Sequence, residues 1–223
     1  MHPYCPPHLL LPHYVWNDVS ALGLCSVMGS LIITAVGSAW VILGRSLSAV
    51  NKAIVCWFLT CGLLHVLFEG YFLVYHETLS SRIDLPAQLW KEYAICDSRY
   101  LSEDTFVLSI ERITVFLWGP LSLLAAAATA RNSYNRHALQ MLGSLAHIYG
   151  CLLYFLTSWE EGYRHCRPEP YYFWVYFVGL NAPWIIIPAL LICRSSADIA
   201  KGMRSAQELE GRKQGEYPWD SRQ

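Results

Sequence analysis

VSALGLCSVMGSLIITAVGSAWVILG (Val19–Gly44) runs 26 residues without a charged side chain, and it decides the class of fold. A helix needs roughly 20 apolar residues to cross the hydrocarbon core of a bilayer. Tyr171–Cys193 supplies a second charge-free run, of 23 residues. The first run is longer than the apolar core of a secretory signal and no basic segment precedes it, so it reads as a retained anchor. Between these two lie three further apolar stretches. The expected helices are 19–43, 53–75, 105–130, 137–159 and 171–193. The expected fold is an all-α, polytopic membrane protein, a bundle of five transmembrane helices with an intramembrane ligand cavity.

Composition agrees. The 223 residues are 54% apolar and only 15% charged, which is unusual for a soluble domain. A net charge of −1 argues against nucleic acid as the main partner, because that partner needs a basic surface. The opening MHPYCPPHLLLPHY holds four prolines and three histidines, and proline excludes a regular helix there. Residues 1–18 therefore read as an N-terminal interfacial segment, with aromatic and imidazole groups at headgroup level, in preference to a metal site. Residues 19–194 form the expected membrane domain. Residues 195–223 form a polar cytosolic tail, frayed or helical at the membrane surface. The stretch 76–104 is a polar connection too long for a tight turn.

Cations set the expected orientation. Arg45, Lys52, Arg131, Arg136, Arg194, Lys201, Arg204, Arg212, Lys213 and Arg222 fall on one side, against Arg82, Lys91, Arg99, Arg164 and Arg167 on the other. Ten against five places the N-terminus in the lumen and the C-terminus in the cytosol, as five spans require. The eight cysteines show no CxxC spacing. Cys25, Cys56, Cys61, Cys151 and Cys193 lie in apolar stretches, where they read as packing residues. Cys5, Cys96 and Cys166 lie outside them, and pairing in an oxidising lumen is the lesser alternative to free thiols.

Ionisable residues inside the apolar stretches carry the functional reading, because such groups survive in hydrocarbon mainly where they face a cavity and act. His65 and Glu69 stand at i, i+4 on one helix face. Counted down from the lumenal end at Tyr75, Glu69 lies about 9 Å deep and His65 about 15 Å deep; Glu111 lies about 9 Å below Thr105. Asn181 lies about 15 Å below Tyr171, with Trp184 one turn further. His147 falls at a similar depth; a structural role is weighed first for it, and a substrate-facing one second. Thr114 follows Glu111 by three residues. Arg112 points about 100° away from Glu111 and reads as an interface cation. Pro183 suggests a bend near a cavity. A metal site built from His65, Glu69, Glu111 and His147 is chemically conceivable, but no ligand motif supports it. The expectation is no metal and no cofactor.

LLHVLFEGYF (Leu63–Phe72), WKEYAICDSRY (Trp90–Tyr100), IERITVFLWGPLSL (Ile110–Leu123), IYGCLLYFLT (Ile148–Thr157) and YFVGLNAPW (Tyr176–Trp184) resemble the emopamil-binding protein family, as does the HPY at residues 2–4. This is the sterol Δ8–Δ7 isomerase group, with an EXPERA-type membrane domain shared with the sigma-2 receptor. The resemblance implies an endoplasmic-reticulum enzyme that moves a ring double bond in a sterol without redox or metal chemistry. It implies acid–base roles for His65, Glu69 and Glu111, polar support from Thr114 and Asn181, a cation-facing Trp184, and Tyr100 near the pocket mouth. His147 stands where relatives often have Gln, and Arg112 where they have a small or neutral residue.

Protonating an unactivated alkene gives a carbocation, so the site needs a proton donor, a nearby base and no water. Hydrophobic amines, which mimic that cation, are the expected inhibitors. The partners expected are a sterol or triterpenoid-like lipid and the bilayer, with a homodimer left open. Two rival readings are a specialised terpenoid isomerase or cyclase using the same acid–base site, and a sterol- or drug-binding receptor without turnover.

Overall fold

The computed structural model describes residues 2–43 and 47–216, with side chains to residue 212 in the last helix. Among these residues every regular element is helical. Five helices are long and apolar enough to cross a membrane: Ala21–Ile42, Ala49–Ser81, Thr105–Ala130, Arg136–Glu160 and Tyr172–Arg212. They are called the first to fifth spans below. Arg45, Arg222 and the side chain of Lys213, counted above among the cations of one side, lie outside the described residues.

The third span has the expected bounds, and the first and fourth differ by one or two residues at each end. The starts of the first three spans have a local cause. Ser20, Ser48 and Asp104 accept hydrogen bonds from the backbone N–H groups of Gly23, Asn51 and Val107, satisfying donors that have no partner inside the helix. The second span starts earlier than expected because Ser48 caps it, and it ends later, in a 3-10 turn over His76–Ser81. The fifth departs most. Its helix Pro183–Glu216 passes residue 194 without a break, so 195–216 of the expected tail are helical. That segment has no proline and is rich in Ala, Glu, Arg and Lys, which favour helix. Arg194 and Asp198 also pair across one turn at 3.7 Å.

The second span packs on the third, and the fourth on the fifth. Lipid gives no hydrophobic push between membrane helices, so close packing of small residues has to hold them. A Cβ on Gly62 would sit 2.5 Å from Leu123 Cδ2, and one on Gly119 would sit 2.8 Å from Val66 Cγ2 and 3.1 Å from His65 Cβ. Both glycines are therefore required for the second and third spans to approach, and Gly119 brings the third span against His65. The first span is different in kind. Leu22, Leu31, Ile33, Val41 and Ile42 are exposed, a surface suited to lipid.

The 76–104 connection folds over one end of the bundle as helix Leu85–Tyr93 and the 3-10 turn Ser98–Leu101. The N-terminal stretch, expected only as interfacial, is tied down onto it. Tyr4 is buried and donates its hydroxyl to the Lys91 carbonyl at 3.2 Å, while Lys91 Nζ donates to the Val15 carbonyl at 2.7 Å. Gln88 Oε1 accepts from the backbone N–H groups of Asp18 and Val19, both at 3.0 Å. Cys5, Cys96 and Cys166 are free thiols. Burial pushes the Cys166 thiol up to about 12, which disfavours the thiolate that disulfide exchange requires.

Arg99 locks the connection to the fourth span. It is 1% exposed and donates twice from Nε and once from Nη2 to Asp97, at 2.7–3.0 Å. It also donates to Thr157 Oγ1 at 3.0 Å and to Ser158 Oγ at 2.6 Å. Arg99→Met strands the Asp97 carboxylate, and breaking a buried pair costs about 3–5 kcal/mol. The expected outcome is a large drop in apparent Tm of the detergent-solubilised protein. A second change, Asp97→Leu, should recover most of it. An unchanged Tm for Arg99→Met would show that the pair does not hold the connection in place.

Candidate active site

Three spans leave α-helical geometry where the polar residues sit. Leu64–Glu69 of the second, Thr114–Trp118 of the third and Tyr172–Gly179 of the fifth are π-helical. Such wider turns are rare and occur frequently at functional sites. Pro183 opens the helix that follows the third of them, with Ala182 in a turn, so the bend expected at Pro183 is a change of helix type.

A cavity of about 330 Å³ lies between the spans and the connection, and its wall includes all eight expected residues: His65, Glu69, Tyr100, Glu111, Thr114, His147, Asn181 and Trp184. That size is at the small end of the roughly 300–1,000 Å³ of small-molecule sites. His65 Nδ1 donates to Glu69 Oε1 at 2.7 Å. In the neutral imidazole of that tautomer, His65 Nε2 is an acceptor, and His147 Nε2 lies 3.1 Å away as its donor. Glu69, His65 and His147 thus form one hydrogen-bonded chain. On the other side, Tyr100 donates its hydroxyl to Glu111 Oε1 at 2.9 Å. Burial first, and the adjoining Glu111 second, hold the Tyr100 phenol well above its ordinary value, so it remains a donor.

The unmatched atoms are as informative as the bonds. Glu69 Oε2, Glu111 Oε2 and His147 Nδ1 are buried without a hydrogen-bond partner. Buried polar atoms are normally satisfied, so orphans of this kind point to a role beyond packing. Each carboxylate is anchored by a donor at one oxygen, and the other oxygen meets no donor. Glu69 and Glu111 are also close enough to interact electrostatically.

The hydrogen bonds give several of the expected residues definite partners. Tyr100, expected near the pocket mouth, is buried in the cavity wall and donates to Glu111. Thr114 lines the cavity, but its hydroxyl donates to the Ile110 carbonyl at 2.8 Å, so its donor is spent on the helix. Asn181 Nδ2 donates to the Tyr93 hydroxyl at 3.2 Å and to the Phe177 carbonyl at 2.8 Å, which makes it a brace between the fifth span and the connection. His147, weighed first as structural, is joined directly to His65. The conceivable metal set also changes: Cys61, His65 and His147 come together, without either glutamate as a ligand. Arg112 is exposed on the outside of the third span while Glu111 is buried, so the two do point apart.

Two further residues escaped the sequence. Trp57 packs on Trp184 with ring centroids 5.6 Å apart, and its edge meets His147 at 6.4 Å. Tyr93 holds Asn181. The recurrence of Trp57, Cys61, His65 and Glu69 at every fourth position was the available signal for the first.

Residues 85–195 match the family described as EXPERA (EXPanded EBP superfamily). The chain is 42% identical over 196 residues to the 3-beta-hydroxysteroid-Delta(8),Delta(7)-isomerase of Cavia porcellus, covering 86% of each chain. It is 40% identical over 218 residues to the mouse (Mus musculus) protein of the same name, covering 94% of this chain and 91% of that one. It is also similar to a protoglabretal synthase of Ailanthus altissima, at 33% identity over 220 residues, or 97% and 98% of the two chains. With relatives this similar over nearly their whole length, the chain belongs to the EXPERA family, the expanded EBP superfamily.

Proposed function

We propose that this membrane protein is a 3β-hydroxysteroid Δ8–Δ7 isomerase. One observation carries the chemistry: two carboxylates, Glu111 buried and Glu69 half-buried, each held by a donor at one oxygen with the other buried and unmatched, face a single cavity. A binding pocket alone has no use for matched proton donors and acceptors, which disfavours a receptor without turnover. The relatives named as isomerases support the substrate class.

The double-bond shift needs no net gain or loss of atoms. A proton joins the C9 end of the Δ8 bond, positive charge appears at C8, and loss of a proton from C7 forms the Δ7 bond. The His65/Glu69 pair and Glu111 divide the donor and acceptor roles. Tyr100 keeps Glu111 oriented, and the chain Glu69–His65–His147 offers a route for the proton between turnovers. Trp184 offers its ring face to the cation, worth roughly 2 kcal/mol when desolvated. The apolar wall excludes the water that would trap the cation as an alcohol. Cationic amphiphilic amines bind by mimicking that charge.

The endoplasmic-reticulum membrane, with the N-terminus lumenal and the C-terminus cytosolic, is the location that fits a sterol substrate and the excess of cations on the C-terminal side. An oxygenated terpenoid is the second reading. It is favoured by the similarity to a protoglabretal synthase and by the unpartnered His147 Nδ1, which could meet a substrate oxygen.

Glu111→Gln preserves shape and removes proton transfer. Turnover should fall by at least the ~10²-fold typical of a lost general acid or base, while a hydrophobic amine still binds. Near-normal turnover would remove Glu111 from the mechanism. Substrate class is tested in a strain blocked at Δ8–Δ7 isomerisation, where the expected outcome is restoration of Δ7-sterols. Well-expressed protein that fails there but converts an epoxidised triterpenoid would put the terpenoid reading first.

A further inference from the structure

Cys61 has no part in the chemistry above, yet it lies one helical turn from His65 on the same face of the second span. Its sulfur and a ring nitrogen from each of His65 and His147 all lie within 4.8 Å of one another, and all three residues are buried. The two imidazoles are already spaced as metal ligands. Their Nε2 atoms are 3.1 Å apart, whereas two nitrogens on one tetrahedral zinc ion, each at about 2.0–2.1 Å, stand roughly 3.3 Å apart. With a Zn–S bond of about 2.3 Å, sulfur and nitrogen on one zinc ion stand roughly 3.5 Å apart, so the cluster has to tighten from within 4.8 Å on binding.

The surroundings match a metal centre too. His65 Nδ1 is bonded to the Glu69 carboxylate at 2.7 Å, which turns the Nε2 lone pair toward the cluster. That carboxylate–histidine arrangement orients histidine ligands in zinc proteins. His65 and His147 border the cavity, so a fourth coordination position opens onto it for water or a substrate hydroxyl. One thiolate and two imidazoles select zinc over magnesium or calcium.

We propose that Cys61, His65 and His147 form a zinc site that holds the enzyme in an inactive state. On binding, the Cys61 thiol proton leaves to solvent, and the Nε2 proton of His147 passes to its unpartnered Nδ1. Bound zinc occupies the His65 lone pair and breaks the Glu69–His65–His147 chain. The binding half stands on the geometry of the three residues; the inhibition half rests on the isomerase reading.

The test uses the purified full-length protein in detergent, first freed of metal by chelator. Cobalt(II) is the spectroscopic probe and zinc the competitor, with wild type compared to Cys61→Ala and Cys61→Ser. Wild type should give the visible bands of tetrahedral cobalt together with a thiolate-to-cobalt charge-transfer band, and zinc should displace both. Each Cys61 variant should lose the charge-transfer band. Its zinc affinity should fall by at least about 100-fold, the top of the range for losing a mere outer-shell partner. Zinc should inhibit wild-type turnover reversibly and leave each variant at its own zinc-free rate. No charge-transfer band in wild type, or the same band in both variants, overturns the site. A band with zinc-insensitive turnover overturns its inhibitory role. A cobalt spectrum without turnover of any Δ8-sterol sinks the isomerase reading and leaves the metal site standing.

Discussion

Ionisable groups in hydrocarbon are tolerated only where other protein groups or a cavity receive them, and this constraint organises the whole bundle. Glu69 and Glu111 each give one oxygen to a partner, His65 and Tyr100. Glu69 is satisfied within the second span and Glu111 by the connection, so the shared cavity forms only where the second span, the third span and the connection meet. Gly119 allows that meeting by admitting the third span to His65. In the proposed mechanism the oxygens left over exchange a proton with the substrate, so stability and reactivity are set by the same pairings.

The connection is as much a part of the site as the spans. Tyr100 reaches Glu111 and Tyr93 reaches Asn181, both from outside the five helices. Their positions depend in turn on Arg99, which binds Asp97 and the fourth span together. The N-terminal stretch packs over the same region through Tyr4 and Val15. The proposed cationic intermediate requires a site that water does not reach, and the packing of this end of the bundle serves that requirement.

The five spans were legible because a charge-free run of membrane-crossing length suits a bilayer and little else. His65 and Glu69 were legible as a pair because a fourfold spacing survives the local π-helix. The depth agreement of Glu111, His147 and Asn181 also carried into three dimensions. What was hidden has physical causes. Helix type cannot be read from apolar periodicity, so the three π-helical segments went unseen. A long polar connection gives no depth count, so the contact of Tyr100 with Glu111 has no signal in the spacing. The fifth helix ran past Arg194 because polarity marks the membrane boundary, not the end of helical hydrogen bonding. Cys61 looked like packing because its significance depends on His147, 86 positions away.

Protonation at one carbon and deprotonation at another is the central claim, and isotope incorporation tests it most directly. Membranes containing the protein are incubated with a Δ8-sterol in deuterated water, and the product is analysed by mass and by position of label. One deuterium at C9 of a Δ7-sterol is the predicted result. A Δ7 product without deuterium, or a bound sterol that is never converted, would contradict it.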